Sequence, residues 1–256
     1  MKKKQIIDFL IIIFAFLFIG FFPYEIIFNI KTKLGIWLYI ITYIVVNILF
    51  LIFLFIFSKK STLKINKQKT NFKIAALFIP SFVICGSNYL YLLTNPSDFS
   101  ANFEVTFFIY FVFTIFTALK EEFIFRVLLI TNLDSIKKPL NKILVSSGIF
   151  AFMHIFNFFS SFNPYYLLQI VYTFGLGLVL GLIYYYSNSF IMCFSLHFLF
   201  NVFNDDLYRY LVVENSPTNL GLFILVNCGI ALIVAIYLLF IYLFKLRKTI
   251  SSNDIV

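Results

Sequence analysis

Long apolar runs separated by short polar segments dominate the chain. A helix that spans a membrane needs about 20 largely apolar residues, and the apolar runs approach that length. They cover residues 5–22, 35–57, 72–94, 103–130, 142–159, 165–187, 189–204 and 220–244. No polar stretch between them is long enough to fold separately. The pattern predicts an all-α, polytopic transmembrane bundle of about eight helices, with residues 1–256 forming a single membrane domain.

The composition supports this interpretation, because 62% of the residues are hydrophobic and only 12% are charged. A soluble domain has roughly 25% charged residues. The polar side chains are therefore too few to cover a surface that faces water, and membrane lipid is the expected solvent.

The net charge of +9 could suggest nucleic acid, but the distribution of the charge argues against such a partner. The basic residues cluster at 2–4, 59–73, 137–142 and 245–248, between apolar runs. If the N-terminus is cytoplasmic and eight helices alternate, all four clusters face the cytoplasm, where basic loops are enriched. Lys31, Lys33 and Arg209 alone then face outward. We therefore predict that both termini are cytoplasmic.

Four charged residues lie within the fourth predicted helix: Lys120, Glu121, Glu122 and Arg126. Ionisable groups inside lipid cost roughly 2.5–3.5 kcal/mol each on insertion scales, and they usually mark function. Glu122 and Arg126 are four residues apart, so they share a helix face and can form an ion pair. Glu121 lies about 100° further round the helix and is unpaired by that geometry. Different surroundings give two carboxylates different roles.

Both histidines of the chain also fall inside apolar helices, and His197 precedes Asn201 by four residues. A rise of 1.5 Å per residue from the predicted cytoplasmic helix ends places Glu121, His154 and His197 about 14, 18 and 12 Å deep. A lone histidine or ion pair can be structural, but agreement in depth among three helices favours one shared site. The predicted site comprises Glu121, Glu122, Arg126, His154, His197 and Asn201.

These residues form three spaced motifs: Glu-Glu-x-x-x-Arg at 121–126, Phe-x-x-x-His at 150–154 and His-x-x-x-Asn at 197–201. Their order, each in its own helix, resembles the CPBP family of CAAX-protease and Abi-like intramembrane endopeptidases. The resemblance covers residues 103–204, which would then be the catalytic core. It implies eight helices around a cavity open to the cytoplasm, and a peptide or protein substrate reached from that side. The Ile, Asn, Lys and Phe bias is typical of AT-rich bacterial genomes, so we expect a multi-pass protein of the bacterial plasma membrane.

The resemblance also implies a role for each residue. Glu121 would activate a water as the general base, and Glu122 would support the site through its ion pair. His154 would position the water, while His197 and Asn201 would form an oxyanion hole. This chemistry is physically reasonable, because burial raises a carboxylate pKa toward that of a base and developing negative charge needs donors.

The residues leave other interpretations open. Glu121, His154 and His197 would make a catalytic zinc set with one position left for water, but there is no His-Glu-x-x-His motif, and a metal-free mechanism, which we favour, uses the same residues. A proton-coupled transporter is an alternative, because Glu, His and Arg in lipid suit a proton relay. Repeated halves, typical of transporters, are not evident. A catalytically silent immunity or scaffold protein on the same fold is a further alternative.

Overall fold

The computed structural model describes residues 1–20, 33–66, 68–87, 105–162, 165–206, 230 and 233–242. The secondary structure of this part of the chain is helical, without strands. Its α-helices are α1 (Lys3–Gly20), α2 (Lys33–Lys60), α3 (Phe72–Ala76), α4 (Val105–Glu122), α5 (Pro139–Met153), α6 (Ile155–Ser161), α7 (Tyr165–Ser187), α8 (Phe190–Asn201) and α9 (233–241).

Within the described residues, three helical segments are long and apolar enough to cross a membrane: Leu34–Lys60, Pro139–Phe159 and Gln169–Ser187. Large apolar side chains project outward from them, as Trp37 and Val171 illustrate for α2 and α7 at 60% and 70% exposure. The described part of the chain is therefore helical, and its long apolar helices are those of a multi-pass membrane protein. The number of eight spans stays a prediction, since most of 220–244 lies outside the described residues.

The third predicted span, 72–94, is not one regular α-helix over its described part. The α-helix α3 ends at Ala76, and a 3₁₀ segment runs from Ile79 to Gly86. Pro80 stands at the start of that segment, and proline has no backbone N–H to continue an α-helical ladder. Tyr237 of α9 donates a hydrogen bond at 2.7 Å to the carbonyl of Leu77, which the break leaves available. Residues 88–94 lie outside the described part.

The fourth predicted span changes its backbone directly after the paired glutamates. The α-helix α4 ends at Glu122, and a π segment, Phe123–Ile130, continues the same rod. Two side chains bind carbonyls there: Ser146 donates to Phe125 at 2.8 Å, and Asn132 donates to Leu128 at 2.7 Å. Such bonds stabilise a π segment, whose backbone pairing is rare and often occurs at functional sites. A second π segment, Val202–Asp206, directly follows Asn201.

Helices α5 and α7 pack closely through the Gly-x-x-x-Gly spacing of α7. A Cβ atom added at Gly181 would lie 2.8 Å from Ile143 Cγ2, and one added at Gly177 would lie 3.1 Å from Ser147 Cβ. Only glycine allows the helices to approach this closely, as the spacing indicates for membrane helices. This close packing of α5 and α7 places the buried face of α5 next to the predicted site.

A network of neutral amide groups joins α1 to the end of the first π segment. Asn132 is fully buried, and its Oδ1 accepts from Gln5 Nε2 at 3.1 Å and from the Lys64 backbone at 2.8 Å. Its Nδ2 donates to the carbonyls of Lys64 and Leu128 at 2.9 and 2.7 Å. Nearby, Asp8 accepts from the backbone and hydroxyl of Thr62 at 2.8 and 2.5 Å. This network fixes the first helix and the 61–66 loop against the helix that carries the predicted site.

Candidate active site

The paired glutamates lie at the end of α4, where α8 packs against α4 and α5 packs against the π segment that follows. Glu122 and Arg126 are fully buried, and Arg126 Nε donates to Glu122 Oε2 at 3.0 Å. The ion pair predicted from their spacing is present. The other oxygen, Glu122 Oε1, lies 2.8 Å from His197 Nδ1. Both carboxylate oxygens of Glu122 are therefore engaged.

Glu121 approaches the opposite edge of the same imidazole. Its Oε2 lies 3.6 Å from His197 Nε2, and 12% of its side chain is exposed whereas that of Glu122 is fully buried. The 3.6 Å separation is too long for a direct hydrogen bond. The four residues form a chain, Arg126–Glu122–His197–Glu121, whose last contact is loose. We call this chain the charged network.

An ionised Glu122 determines which nitrogen of His197 holds a proton. A carboxylate only accepts hydrogen bonds, so the nitrogen facing it, Nδ1, must be the donor. Nε2 then faces Glu121 as an acceptor in neutral imidazole and as a donor in imidazolium. The hydrogen bond on one side of the ring thus controls the chemistry of the other side.

Arg126 is held by more than its carboxylate. Its Nη1 donates to Ser146 at 3.3 Å, and its guanidinium carbon lies 4.9 Å from the centroid of the Phe150 ring, within the range of a cation–π contact. Its Nη2 is buried and makes no hydrogen bond to any residue that the structure describes. Phe150 is a residue of the second motif to which the sequence analysis gave no role, and Ser146, one turn earlier in the same helix, was not singled out.

His154 and Asn201 stand further out than the charged network. His154 is half-buried at the junction of α5 and α6, and its Nδ1 lies 3.1 Å from the carbonyl of Phe150. The predicted helix 142–159 is thus broken at the histidine itself. Asn201 is half-buried at the end of α8, one turn beyond His197. Neither side chain is hydrogen-bonded to the charged network within the described residues.

Lys120, the fourth charge of the cluster, points away from the site. Its ammonium group donates to the side chain of Asn47 in α2 and lies 5.8 and 5.9 Å from the ring centroids of Phe16 and Tyr43. Asn47 is fully buried and was missed by the sequence analysis. A lone amide within the apolar run 35–57 was the available signal, because buried polar groups need partners.

The geometry of the described residues does not favour the zinc alternative. No three His, Cys, Asp or Glu side chains among the described residues are grouped to hold a metal ion. Each histidine uses its Nδ1 for another contact and would have only its Nε2 to offer a metal ion. Within the described residues, Glu121, His154 and His197 are not grouped as a ligand set.

Comparison with known protein families supports the resemblance drawn from the motifs. Residues 103–203 match the family model described as type II CAAX prenyl endopeptidase Rce1-like. Over this segment, which is less than half of the chain, the sequence is similar to that family. The Rce1-like segment, residues 103–203, contains all three motifs and every residue of the charged network. Neither the curated proteins nor the solved structures include a match to the chain.

Proposed function

We propose that the protein is an intramembrane endopeptidase that hydrolyses a peptide bond with a water activated by Glu121. The observation that carries this proposal is the convergence of Glu121 and Glu122 on the two edges of the His197 ring. The Rce1-like segment supports an endopeptidase in general. The assignment of roles rests on the contacts of the individual side chains.

Glu121 suits the role of general base because neither of the neighbouring cations on its own helix, Lys120 and Arg126, is bound to it. Lys120 is bound to Asn47, and Arg126 is bound to Glu122. A gap of 3.6 Å between Glu121 Oε2 and His197 Nε2 lets one water contact both atoms from the side. Glu121 would take a proton from this water as its oxygen attacks the substrate carbonyl carbon. The same carboxyl would then return the proton to the leaving amine.

Glu122 suits a supporting role for the opposite reason. Its two oxygens are occupied by Arg126 and His197, so it is poorly placed to accept a further proton. It would hold His197 as imidazolium, protonated from solvent before the attack, and this proton would stay on Nε2 while the carbonyl oxygen gains negative charge. His197 Nε2–H and the Asn201 amide would then donate to that oxygen as the oxyanion hole. The Nε2 of His154, whose other nitrogen faces Phe150, would orient the water.

The membrane arrangement that we propose places this site near the cytoplasmic side. Residues 1–256 would form one domain of eight spans with both termini cytoplasmic, and 103–204 would be its catalytic core. Lysine-rich segments support this topology because they lie together: the N-terminal amine donates to Ser135 at 2.9 Å, and Lys64 pairs with Asp134 at 2.7 Å. A basic end is typical of the cytoplasmic face. The substrate would be a peptide reached from that side, in a bacterial plasma membrane.

A peptide-cleavage assay tests the proposal. Purified protein in liposomes is incubated with a panel of internally quenched peptides, one of which ends in a prenylated CAAX motif. We expect wild-type cleavage, and a loss of at least about 100-fold in E121Q, the scale of a general base. D134N is the matched carboxyl-to-amide control, at an exposed site, and should cleave as wild type does. Equal cleavage by E121Q would refute the role of Glu121. A wild-type protein that cleaves no peptide but carries a proton flux that E121Q abolishes would also refute it.

A chelator separates the metal-free reaction from the zinc alternative. We expect cleavage to persist after dialysis against a strong chelator, because the described side chains do not converge as a zinc site. The protein is assayed before and after dialysis, and again after zinc is added back. Loss of cleavage that zinc restores would contradict the metal-free mechanism.

A further inference from the structure

One side of α5 is buried between the charged network and α7. Its members are Ile143, Ser146, Ser147 and Phe150, at the i, i+3, i+4, i+7 spacing of one helix face. Ile143 and Ser147 meet the glycines of α7, and Ser146 binds Arg126. Phe150, at the end of this face, is fully buried and reaches the site itself.

The Phe150 ring contacts three residues of the predicted site. Its centroid lies 5.2 Å from that of His154 and 5.7 Å from that of His197, with interplanar angles of 81° and 82°. Both are edge-to-face arrangements, the preferred geometry of aromatic pairs. The guanidinium of Arg126 lies over the same ring. The two histidines come from different helices, and the Phe150 ring contacts both.

The hydrogen bonds of the histidines leave their ring orientation incompletely fixed. His197 is bound to Glu122 through one nitrogen, and His154 is bound through one nitrogen to a carbonyl. The terminal torsion of a histidine side chain is broad, so one bond still allows the ring to tilt. A flat, immobile ring packed against both imidazoles removes that freedom.

Gly177 leaves the space that the Phe150 ring and the backbone of α5 occupy. A Cβ atom at this position would lie 3.2 Å from Phe150 Cδ1 and 3.2 Å from the Ser147 Cα atom. Because Ser147 Cα belongs to the backbone of α5, relief would require α5 or the Phe150 ring to shift by a few tenths of an ångström. Gly175, two residues earlier, has open space where its Cβ would stand.

We propose that Phe150 is a positioning residue that orients the His154 and His197 rings together, and that Gly177 maintains its position. This inference rests on the proposed peptidase function. Substitutions of Phe150 and Gly177 should then slow the chemical step. A small misplacement of the catalytic side chains lowers the rate of that step without weakening substrate binding.

Three glycine substitutions in α7 separate positioning from packing. G177A should lower kcat on the peptide panel about tenfold, with KM nearly unchanged, as expected for misaligned catalytic groups. G181A is the structural control, because its Cβ meets only Ile143. It should lower the unfolding midpoint at least as far as G177A while leaving kcat near the wild-type value. G175A should leave kcat unchanged and should not lower the unfolding midpoint, because its Cβ meets open space and alanine favours a helix.

A double mutant tests whether Gly177 acts through Phe150. F150L should lower kcat on the order of tenfold to a hundredfold, and F150Y, which keeps the ring, should recover more activity than F150L. In the F150L background, the leucine side chain has no ring to displace. G177A should therefore cost less in kcat there than in the wild-type background, which is the non-additivity of coupled residues.

A spectroscopic measurement reads the positioning without any substrate. The chain has two histidines, so selective labelling gives two sets of imidazole NMR signals. F150L should shift both sets through loss of the Phe150 ring current, and G177A should shift both by less, while G181A should shift neither. The proposal would be overturned if the signals of either histidine were unshifted in F150L relative to the wild type. Equal kcat losses in G181A and G177A would also overturn it. A wild-type protein that cleaves no peptide would refute the proposed function, while the NMR measurement still decides the positioning.

Discussion

Two polar networks lie within this apolar bundle, and they differ in how completely their hydrogen-bonding groups are paired. In the amide network, Asn132 makes all four of its hydrogen bonds, to Gln5, Leu128 and the backbone of Lys64. In the charged network, Arg126 Nη2 has no partner among the described residues, and Glu121 has only a 3.6 Å contact. A saturated network has no capacity left to bind a reactant.

This difference indicates that the two networks have different roles. Both lie on the helix that runs through α4 and the first π segment, less than three turns apart. Neutral amides that satisfy each other hold elements together at low electrostatic cost. Burying an ionisable group in a membrane costs free energy, and such groups are usually found where they take part in function. We therefore expect substitutions in the amide network to affect stability, and those in the charged network to affect reactivity.

The largest expected effect on folding comes from breaking the buried ion pair. R126M leaves the fully buried Glu122 carboxylate without its cation and should destabilise the fold by about 3–5 kcal/mol. Unfolding titrations in mixed detergent micelles measure this loss. The double variant E122L/R126M removes both charges, so it should regain most of the lost stability. It should remain inactive on the peptide panel, because His197 has lost the carboxylate that orients it.

A smaller effect is expected from opening the amide network. N132A removes four hydrogen bonds, of which those to Gln5 and Leu128 are buried, and this loss should cost about 1–3 kcal/mol. The same unfolding titration measures this cost. The kcat of the folded fraction should stay near that of the wild type, since Asn132 touches no residue of the charged network. A proportionate fall in kcat would show that the two networks are coupled rather than separate.

The smallest effect is expected at the surface, where Lys64 and Asp134 are both well exposed. The hydrogen bond from Lys64 holds the pKa of Asp134 below its ordinary value. A lowered folded-state pKa contributes stability above the unfolded-state value and loses it as the pH falls through the lowered value. D134N should therefore be less stable than wild type by under about 1 kcal/mol at neutral pH, and this difference should vanish in acid. A difference that grew in acid would contradict the assignment.

The sequence predicted much of this arrangement, because apolar runs and helical spacing are local signals. The helix 165–187 has the predicted bounds, and the Glu122–Arg126 pair follows from a four-residue spacing. The contact of Glu121 with His197 was not predicted, because the angle between neighbours on one helix does not tell what another helix supplies. The break at His154 and the π segment after Glu122 also depend on tertiary partners, such as Ser146.

The account is tested most directly by measuring cleavage and unfolding on the same preparations of E121Q and N132A. The account predicts opposite results: E121Q keeps the unfolding midpoint of the wild type but loses cleavage by at least about 100-fold, whereas N132A unfolds more easily but cleaves at the wild-type kcat. An E121Q protein that cleaves the peptides as fast as the wild type would contradict the central claim that Glu121 activates the water.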